Sequence, residues 1–428
     1  MARKRSLLEK ASSRKNLRDA WNKLQKNPDS HGLPDETIAD FRSNLDANLA
    51  LIYQQLRSKS YRFAKLRAVA IPKSEADDFR PIKIPEVRDR VVFKAIVNVV
   101  QPILDKKLKL NNPASYAYQK GLGVKDAIEQ VVNLYKEGRP IALEADIEKF
   151  FDTVDKQLLL SEKVFPNLSD ESLNLLIEEV LNLEIGNRDN LSAAEWAPFK
   201  ELAGGIPQGG ALSPLLSNVY LAEFDKTMLA RKFGLVRYAD DFVVLCKTEK
   251  EADEAYQSAK EILETKLRLK IHPLDNTRPE SQTRIVHLSQ KPIEFLSICF
   301  DGKRLWPARE KLTELKAKLR KATDYHENSD VLNLIMKTKN LLQGWIAAYY
   351  FTDIDPYFAE IEFTTNMRLA VSLLTMGWEL DKRSMKLDYY EGKKVYLLSD
   401  TQRTQSGIPW CASVLSEIRQ NNGTIELS

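Results

Sequence analysis

The stretch RYADDFVVL, from Arg237 to Leu245, constrains the fold of this chain more than any other feature. It places two adjacent carboxylates, Asp240 and Asp241, before a run of strand-forming residues. Side chains alternate between the two faces of a strand, so two adjacent acids do not fit a regular ladder. A tight hairpin would instead present both at its tip. Crowded acids repel each other unless a cation neutralises them, so the stretch indicates either a divalent-metal site or a solvated turn.

A third carboxylate, Asp146, ends the segment IALEAD (141–146), which is predicted to be a buried strand. If the fold brings Asp146 to the hairpin, three carboxylates can hold two divalent ions about 3.5–4 Å apart, the arrangement used for in-line phosphoryl transfer. Ligation by oxygen alone favours Mg²⁺, with Mn²⁺ as the alternative, over zinc. The acids therefore predict a magnesium site if they converge.

Bulk properties exclude several classes of protein. The chain has 428 residues, enough for two or three packed units, and 43% of them are apolar. No apolar run of about 18 residues is present, so no membrane span or membrane partner is expected. Its three cysteines form no CxxC pair, which argues against a zinc ribbon and favours a reducing cytosol. The net charge is only +4, but basic residues cluster at 3–18 and 303–321.

Helical and extended segments alternate without a regular βαβ rhythm, which predicts an α+β fold with a mixed or antiparallel sheet. Helices are expected over 1–60, at about 88–109, within 156–185, at 250–269 and from 309 onwards, with extended pieces at 67–85, 141–146 and 283–306. The segment KLTELKAKLRKA carries Leu312, Leu315 and Leu319 on one helical face and lysines on the other.

Two further segments have the chemistry of a nucleotide site. The loop GGIPQGG (204–210) offers glycine backbone that can approach a nucleotide closely, with Gln208 in its middle. Lys73 and Arg80 lie on extended chain and could both reach a triphosphate, Arg80 as a fork and Lys73 as a point charge. Taken singly, such a loop is more often only a turn-rich connection, and such cations are more often surface residues.

Five segments occur in one order: RPIKIPEVRDR, EADIEKFFDTVD, IPQGGALSPLLSN, RYADDFVVL and EFLSICF. In this order they resemble the bacterial reverse transcriptases of the group II intron type, over about residues 15–350. The resemblance implies a right-hand polymerase with fingers, palm and helical thumb. It also implies that Asp146, Asp240 and Asp241 are the catalytic metal ligands, with Ile147 beside them at the metal site.

The resemblance assigns the nucleotide contacts as well. It places Lys73 and Arg80 on the incoming triphosphate and Gln208 beside the nascent base pair. Phe151 would lie under the sugar, where a flat ring excludes a 2′-hydroxyl. The alternative is that Phe150 and Phe151 are both core aromatics.

The same resemblance divides the chain into an N-terminal helical extension with fingers (1–66), fingers and palm (67–306), a thumb (307–379) and an appendage of unassigned role (380–428). Gln343-Gly344-Trp345 with Tyr349 and Tyr350 resembles the thumb signature of the family. The thumb residues Lys316, Lys318 and Arg320 are expected to grip an RNA backbone. The alternative is a helical bundle with core aromatics and a solvated lysine face.

The expected function is that of a cytoplasmic bacterial RNA-directed DNA polymerase that copies an RNA template into DNA from dNTPs. No endonuclease pattern follows the thumb, so a stand-alone enzyme of antiphage defence with a dedicated structured non-coding RNA is expected. The alternatives are a group II intron maturase that binds RNA, and a mobile-element enzyme whose endonuclease was lost. The segment LRLKIHPLDNTRP lacks the usual lysine of the family, so the proton donor to pyrophosphate stays open between Lys270 and Arg278. The sequence does not indicate an oligomeric state.

Overall fold

The computed structural model describes residues 5–33, 35–72, 79–200, 205–277, 281–326 and 330–427. These residues form helices and small sheets with antiparallel strand pairs, which confirms the predicted mixed α+β class. The chain divides into two compact units, Met1–Gln130 with Ile141–Ile285 and Val131–Pro140 with Val286–Ser428. In the described part of the chain, no helix has both the length and the apolar character needed to span a membrane.

The first unit combines helices with two sheets. Its helices are α1 (Leu7–Ala11), α2 (Arg14–Asn22), α3 (Ile38–Ser43), α4 (Leu45–Arg57), α5 (Val87–Leu108), α6 (Val124–Lys136, which runs into the second unit), α7 (Phe150–Thr153), α8 (Lys156–Leu158), α9 (Asn174–Leu181), α10 (Ala193–Lys200), α11 (Ser213–Ala230) and α12 (Glu249–Lys260). Its strands are β1 (Arg67–Pro72), β2 (Phe79–Ile84), β3 (Ile141–Ala145), β4 (Gly234–Tyr238), β5 (Asp241–Cys246) and β6 (Arg284–His287), in which the unit ends. Short π-helical turns continue α8 and α12.

The larger sheet of this unit has the strand order β4-β5-β3-β6. Strand β5 pairs antiparallel with both β3 and β4. Every residue of β3 is buried, because α12 packs against both β3 and β5. Helix α11 is buried on most sides, which is typical of a helix with apolar residues all around its surface. The sheet is therefore held rigidly by the main core of the unit.

The second unit joins two small sheets to a helical bundle. Its remaining elements are β7 (Ile293–Phe295), β8 (Ile298–Phe300), β9 (Leu305–Pro307), α13 (Arg309–Ala322), α14 (Val331–Tyr349), α15 (Phe358–Thr375), β10 (Lys386–Tyr390), β11 (Lys393–Leu397), α16 (Asp400–Gln405) and α17 (Cys411–Asn422). As predicted, α13 buries Leu312, Leu315 and Leu319. Trp345 of α14 is also in this core, and its indole N–H donates to the Lys311 carbonyl over 3.2 Å.

Part of the segment after residue 380 belongs to the same core. Leu398, Cys411 and Leu415 pack with the buried residues of α13, α14 and α15. Arg403 is completely buried, and its guanidinium donates to Glu362 and Asn366 of α15. The segment that the sequence left without a role thus helps to build the second unit. The domain boundaries at 66/67, 306/307 and 379/380 stay predictions.

Candidate active site

Strands β4 and β5 form the hairpin that the paired acids predicted. Tyr238 pairs with Asp241, which leaves Ala239 and Asp240 as a two-residue turn. Ala239 has a φ of 61°, a left-handed conformation that glycine adopts freely and alanine adopts only with strain. The favoured two-residue turns need a positive φ at this position to match the twist of the strands. The two acids therefore lie at the tip of a tight hairpin.

Asp146 lies at the same end of the sheet. It directly follows β3, whose last residue, Ala145, pairs with Phe242 of β5. Continuing this register by one residue brings Asp146 opposite Asp241. The antiparallel pairing of two strands far apart in sequence thus brings the third carboxylate to the hairpin tip.

The electrostatics of the three aspartates reflect their closeness. Burial raises the pKa of Asp146, and the negative charge of Asp240 raises it further. The pKa of Asp240 is also raised by burial, although Arg237 and Arg80 oppose the rise. Asp241 stays accessible to solvent, but the surrounding protein removes part of its hydration. This desolvation, together with the negative charges of Asp240 and Asp146, raises the pKa of Asp241 to about 7. The positive charges near the three carboxylates are therefore too few to offset burial and repulsion.

This environment fits a divalent cation. Carboxylates that raise one another's pKa gain most when a cation enters between them, and oxygen-only donors suit Mg²⁺ or Mn²⁺. Across the described ranges, no three His, Cys, Asp or Glu side chains are gathered tightly enough to hold a metal ion. The three aspartates therefore lie near one another without forming a complete metal site, and a bound cation would bring their carboxylates closer together.

The residues after Asp146 divide between core and cleft. Ile147 is 1% exposed and its N–H donates to the Asp146 carboxylate over 2.9 Å, so its side chain belongs to the core. Phe150 is also 1% exposed, and its ring packs edge-on against Phe151 at 5.3 Å. Phe151 is half-buried and lines the cleft. Phe150 is thus a core residue, whereas Phe151 belongs to the wall of the cleft.

The glycine-rich loop packs against two other parts of the site. The Ile206 N–H donates to the Phe151 carbonyl over 2.8 Å, and the Lys83 N–H of β2 donates to the Gln208 carbonyl over 2.8 Å. Gly209 has a φ of 115°, and a Cβ placed there would lie 2.6 Å from the Lys83 carbonyl oxygen. A glycine is therefore required where the loop meets β2.

A cleft of about 1060 Å³ brings most of the predicted residues together. Its lining includes Arg80, Asp146, Ile147, Phe151, Gln208 and Asp240. Asp241 is beside Asp240 but does not line this cleft. Lys73 and Arg278 lie outside the described residues.

His272 is a cleft residue that the sequence did not reveal. Its Nε2 lies 4.0 Å from Asp146 Oδ2, and its Nδ1 lies 3.8 Å from Glu148 Oε1. The histidine arrives there because its segment pairs with the chain that follows β3, through an Ile147–Ile271 bridge and a Glu148 N–H···Lys270 carbonyl bond of 2.8 Å. The only sequence signal was the departure of LRLKIHPLDN from the usual family pattern.

The three cations predicted to hold RNA lie on α13 of the second unit. Lys316 donates to the Glu360 carboxylate over 2.6 Å, and Arg309 donates to the other oxygen of the same carboxylate over 2.7 Å, so the Lys316 ammonium is held in an ion pair within the protein. Lys318 and Arg320 are exposed. These two side chains are the better candidates for a phosphate contact.

Comparison with known proteins agrees with this geometry. Residues 71–297 match the model of the family described as "Reverse transcriptase (RNA-dependent DNA polymerase)". The protein YkfC of Escherichia coli K12 is 27% identical over 316 residues, which cover 64% of this chain and 75% of YkfC. The group II intron-encoded protein LtrA of Lactococcus lactis is 26% identical over 212 residues, 50% of this chain and 33% of LtrA.

Among solved structures, a chain of a partial Cas6-RT-Cas1–Cas2 complex is 26% identical, with a TM-score of 0.37, over 61% of this chain and 43% of that one. The chain thus spans about a third of LtrA and less than half of this structural neighbour. The family model, by contrast, covers more than half of the 428 residues and includes the three aspartates, the glycine-rich loop and β2. The chain belongs to the reverse transcriptase (RNA-dependent DNA polymerase) family.

Proposed function

We propose that this protein extends a primer along an RNA template by two-metal phosphoryl transfer. In this proposal the β4-β5-β3 sheet is the palm of a right-hand polymerase, β1 and β2 belong to the fingers, and α13 to α15 form the thumb. The observation that carries it is the placement of Asp146, Asp240 and Asp241 at one end of one sheet beside a cleft of about 1060 Å³, where the charge of Asp240 raises the pKa of both Asp146 and Asp241.

The predicted residues in and beside the cleft then have roles. Asp146, Asp240 and Asp241, with Ile147 beside them, would hold two Mg²⁺ ions, with Mn²⁺ as the alternative. The chemistry that bound Mg²⁺ supplies is activation of the primer 3′-hydroxyl and neutralisation of the departing pyrophosphate. Arg80, and by the family resemblance Lys73, bind the triphosphate, while the loop of Gln208 supports the base pair.

The test is primer extension by the purified protein with dNTPs and Mg²⁺, on RNA and DNA templates of the same sequence. Extension on RNA that depends on Mg²⁺ supports the proposal. Tight RNA binding without any extension, across several primers and templates, would instead favour an RNA-binding maturase.

Phe151 is proposed to exclude ribonucleotides, because its ring is half-buried in the cleft while Phe150 is in the core. We expect Phe151→Val to raise kcat/KM for ribonucleotides relative to deoxynucleotides about tenfold or more, since removing the ring opens space for a 2′-hydroxyl. Steady-state incorporation of single nucleotides measures the ratio. Phe165→Val, outside the cleft, is the control, and an unchanged ratio in an active Phe151→Val enzyme would contradict the assignment.

The exposed cations of α13 are proposed to contact the RNA backbone. Each lost phosphate contact lowers the slope of log K against log salt by about 0.7–0.9. We therefore expect Lys318→Ala with Arg320→Ala to weaken RNA binding and flatten this slope. Lys316→Ala should change the slope less, because Lys316 is only partly exposed and its ammonium is held in an ion pair with Glu360. Equal slopes for the wild type and the double variant would mean that this face is only solvated.

We also propose that the template is a structured non-coding RNA encoded beside the gene, and that the enzyme acts in antiphage defence. Sequencing the nucleic acid that copurifies with the protein tests the template. A phage challenge of cells that carry the intact locus, an RNA-deleted locus or an Asp240→Asn locus tests the biology. Splicing or mobility of a flanking intron that depends on the protein, without protection from phage, would favour the maturase.

A further inference from the structure

Arg237 of β4, two residues before the turn, is completely buried. Its guanidinium has five N–H donors, and five acceptors surround it. Nε and Nη2 donate to the two oxygens of Asp225, each over 2.6 Å, and Nη2 also donates to Ser115 Oγ over 2.9 Å. Nη1 donates to Asn218 Oδ1 over 3.2 Å and to the Ala239 carbonyl over 2.7 Å. The guanidinium is saturated and fixed in one orientation.

The side chains that accept hydrogen bonds from Arg237 are themselves held by further hydrogen bonds. Asp225 also accepts from the Asn112 side chain over 3.1 Å, and the Asn218 amide donates to the Ala117 carbonyl over 2.9 Å. Asp225 and Asn218 belong to α11, which is buried on most sides. The network therefore joins the hairpin to the core helix and to the 112–117 segment.

The bond to the Ala239 carbonyl acts on the turn itself. This carbonyl belongs to the peptide that links Ala239 to Asp240, and a planar peptide is oriented as a whole when its oxygen is held. Ala239 has a φ of 61°, a strained conformation that a non-glycine residue keeps only where its surroundings hold it. The bond from the Arg237 guanidinium restrains the carbonyl of this same residue.

We propose that Arg237 is a positioning residue for catalysis, which holds the strained Ala239–Asp240 peptide and thereby aims the Asp240 carboxylate. The proposal rests on the assignment of Asp240 as a metal ligand. Arg237 is completely buried and is not among the residues that line the cleft, so it would act through the turn. The competing explanation is that Arg237 and Asp225 only fill the core, where a buried ion pair adds little net stability.

Arg237→Lys separates the two explanations, because lysine keeps the charge opposite Asp225 but cannot form the fork that reaches Ala239. We expect kcat for DNA synthesis to fall on the order of a hundredfold, as for a misplaced catalytic group, with KM for dNTP and RNA affinity nearly unchanged. Arg403→Lys is the matched control, because Arg403 is equally buried and is paired with Glu362 in the second unit. It should lose a similar amount of thermal stability and keep kcat.

A double-mutant cycle with Ala239→Gly gives the decisive readout. Glycine adopts the left-handed turn without strain, so the turn no longer needs the guanidinium to hold it. We therefore expect Arg237→Lys to lower kcat less than tenfold in the Ala239→Gly background. An equal fold loss with and without Ala239→Gly, or an equal loss from Arg403→Lys, would overturn the proposal.

Two further measurements keep the test decisive. If Arg237→Lys does not fold, Asn218→Ala replaces it, since it keeps the ion pair with Asp225 and removes one of the two acceptors that fix Nη1, so that Nη1 holds the Ala239 carbonyl less firmly. Its kcat loss should again shrink in the Ala239→Gly background, and an equal loss in both backgrounds would overturn the proposal. Asp240→Asn distinguishes failure of the metal assignment from failure of the role of Arg237. If Asp240→Asn polymerises normally, the assignment of Asp240 as a metal ligand fails. If Asp240→Asn is inactive while Arg237→Lys loses no more kcat than Arg403→Lys, only the positioning role of Arg237 fails.

Discussion

Replacing Asp240 or Asp241 with asparagine should slow DNA synthesis at least about a hundredfold, which corresponds to roughly 2.7 kcal/mol of activation barrier. Asparagine keeps the size of the side chain but removes the charge that holds a cation. RNA binding should stay nearly unchanged, because the exposed cations of α13 lie elsewhere in the chain. Single-turnover primer extension measures the rate, and a filter-binding assay measures the RNA affinity.

Thermal unfolding adds an independent readout to this prediction. Without divalent ions, Asp240→Asn should raise the melting temperature, because burial disfavours the ionised Asp240 carboxylate and the charge of Asp240 disfavours ionisation of Asp146 and Asp241. Mg²⁺ should stabilise the wild type more than the variant, since a ligand stabilises only the state that binds it. Asp253→Asn, on the exposed face of α12, is the control. Wild-type rates in both site variants would contradict the two-metal assignment.

Gly209→Ala should lower kcat/KM for dNTP at least about thirtyfold, or about 2 kcal/mol of transition-state stabilisation. The added Cβ would meet the Lys83 carbonyl oxygen at 2.6 Å, and the φ of 115° is strained for any residue with a side chain. The loop would then move away from β2 and carry Gln208 with it. The loss should fall mainly on KM for dNTP, because Asp146 and Asp240 are on other elements.

Gly210→Ala is the matched control for this variant. Gly210 is the next residue in the same loop, and a Cβ there would make only ordinary contacts, 3.7 Å from Ser213 Oγ and 3.8 Å from Phe93. It should therefore keep most of the activity. Equal losses in both variants would show that the loop tolerates no side chain at all, and would remove the specific role of the Gly209–Lys83 contact.

Local pattern was enough to predict the hairpin and β3. Adjacent acids between strand-forming residues fit only a turn, and an apolar segment such as IALEA forms a buried strand. The convergence of Asp146 with that hairpin was expected only through resemblance to a family, because strand pairing across about ninety-five residues leaves no local signal. The family itself is confirmed by the match over residues 71–297.

Other features depend on contacts that sequence spacing does not encode. His272 reaches Asp146 because its segment pairs with the chain after β3, and Lys316 forms an ion pair with Glu360, 44 residues away. The five acceptors around Arg237 come from three separate parts of the chain. Buried polar networks of this kind become visible only when the fold is known.

The shared core of the second unit has a consequence for biosynthesis. Leu398, Arg403, Cys411 and Leu415 complete the core that α13, α14 and α15 begin. A nascent chain that has left the ribosome only as far as α15 therefore lacks part of that core, whereas the whole of the first unit has already been synthesised. The sheet that carries the three aspartates can thus fold first, and the helices proposed to bind RNA gain the last residues of their core only after residue 415 has emerged. Translation would then delay RNA capture until the polymerase core is in place.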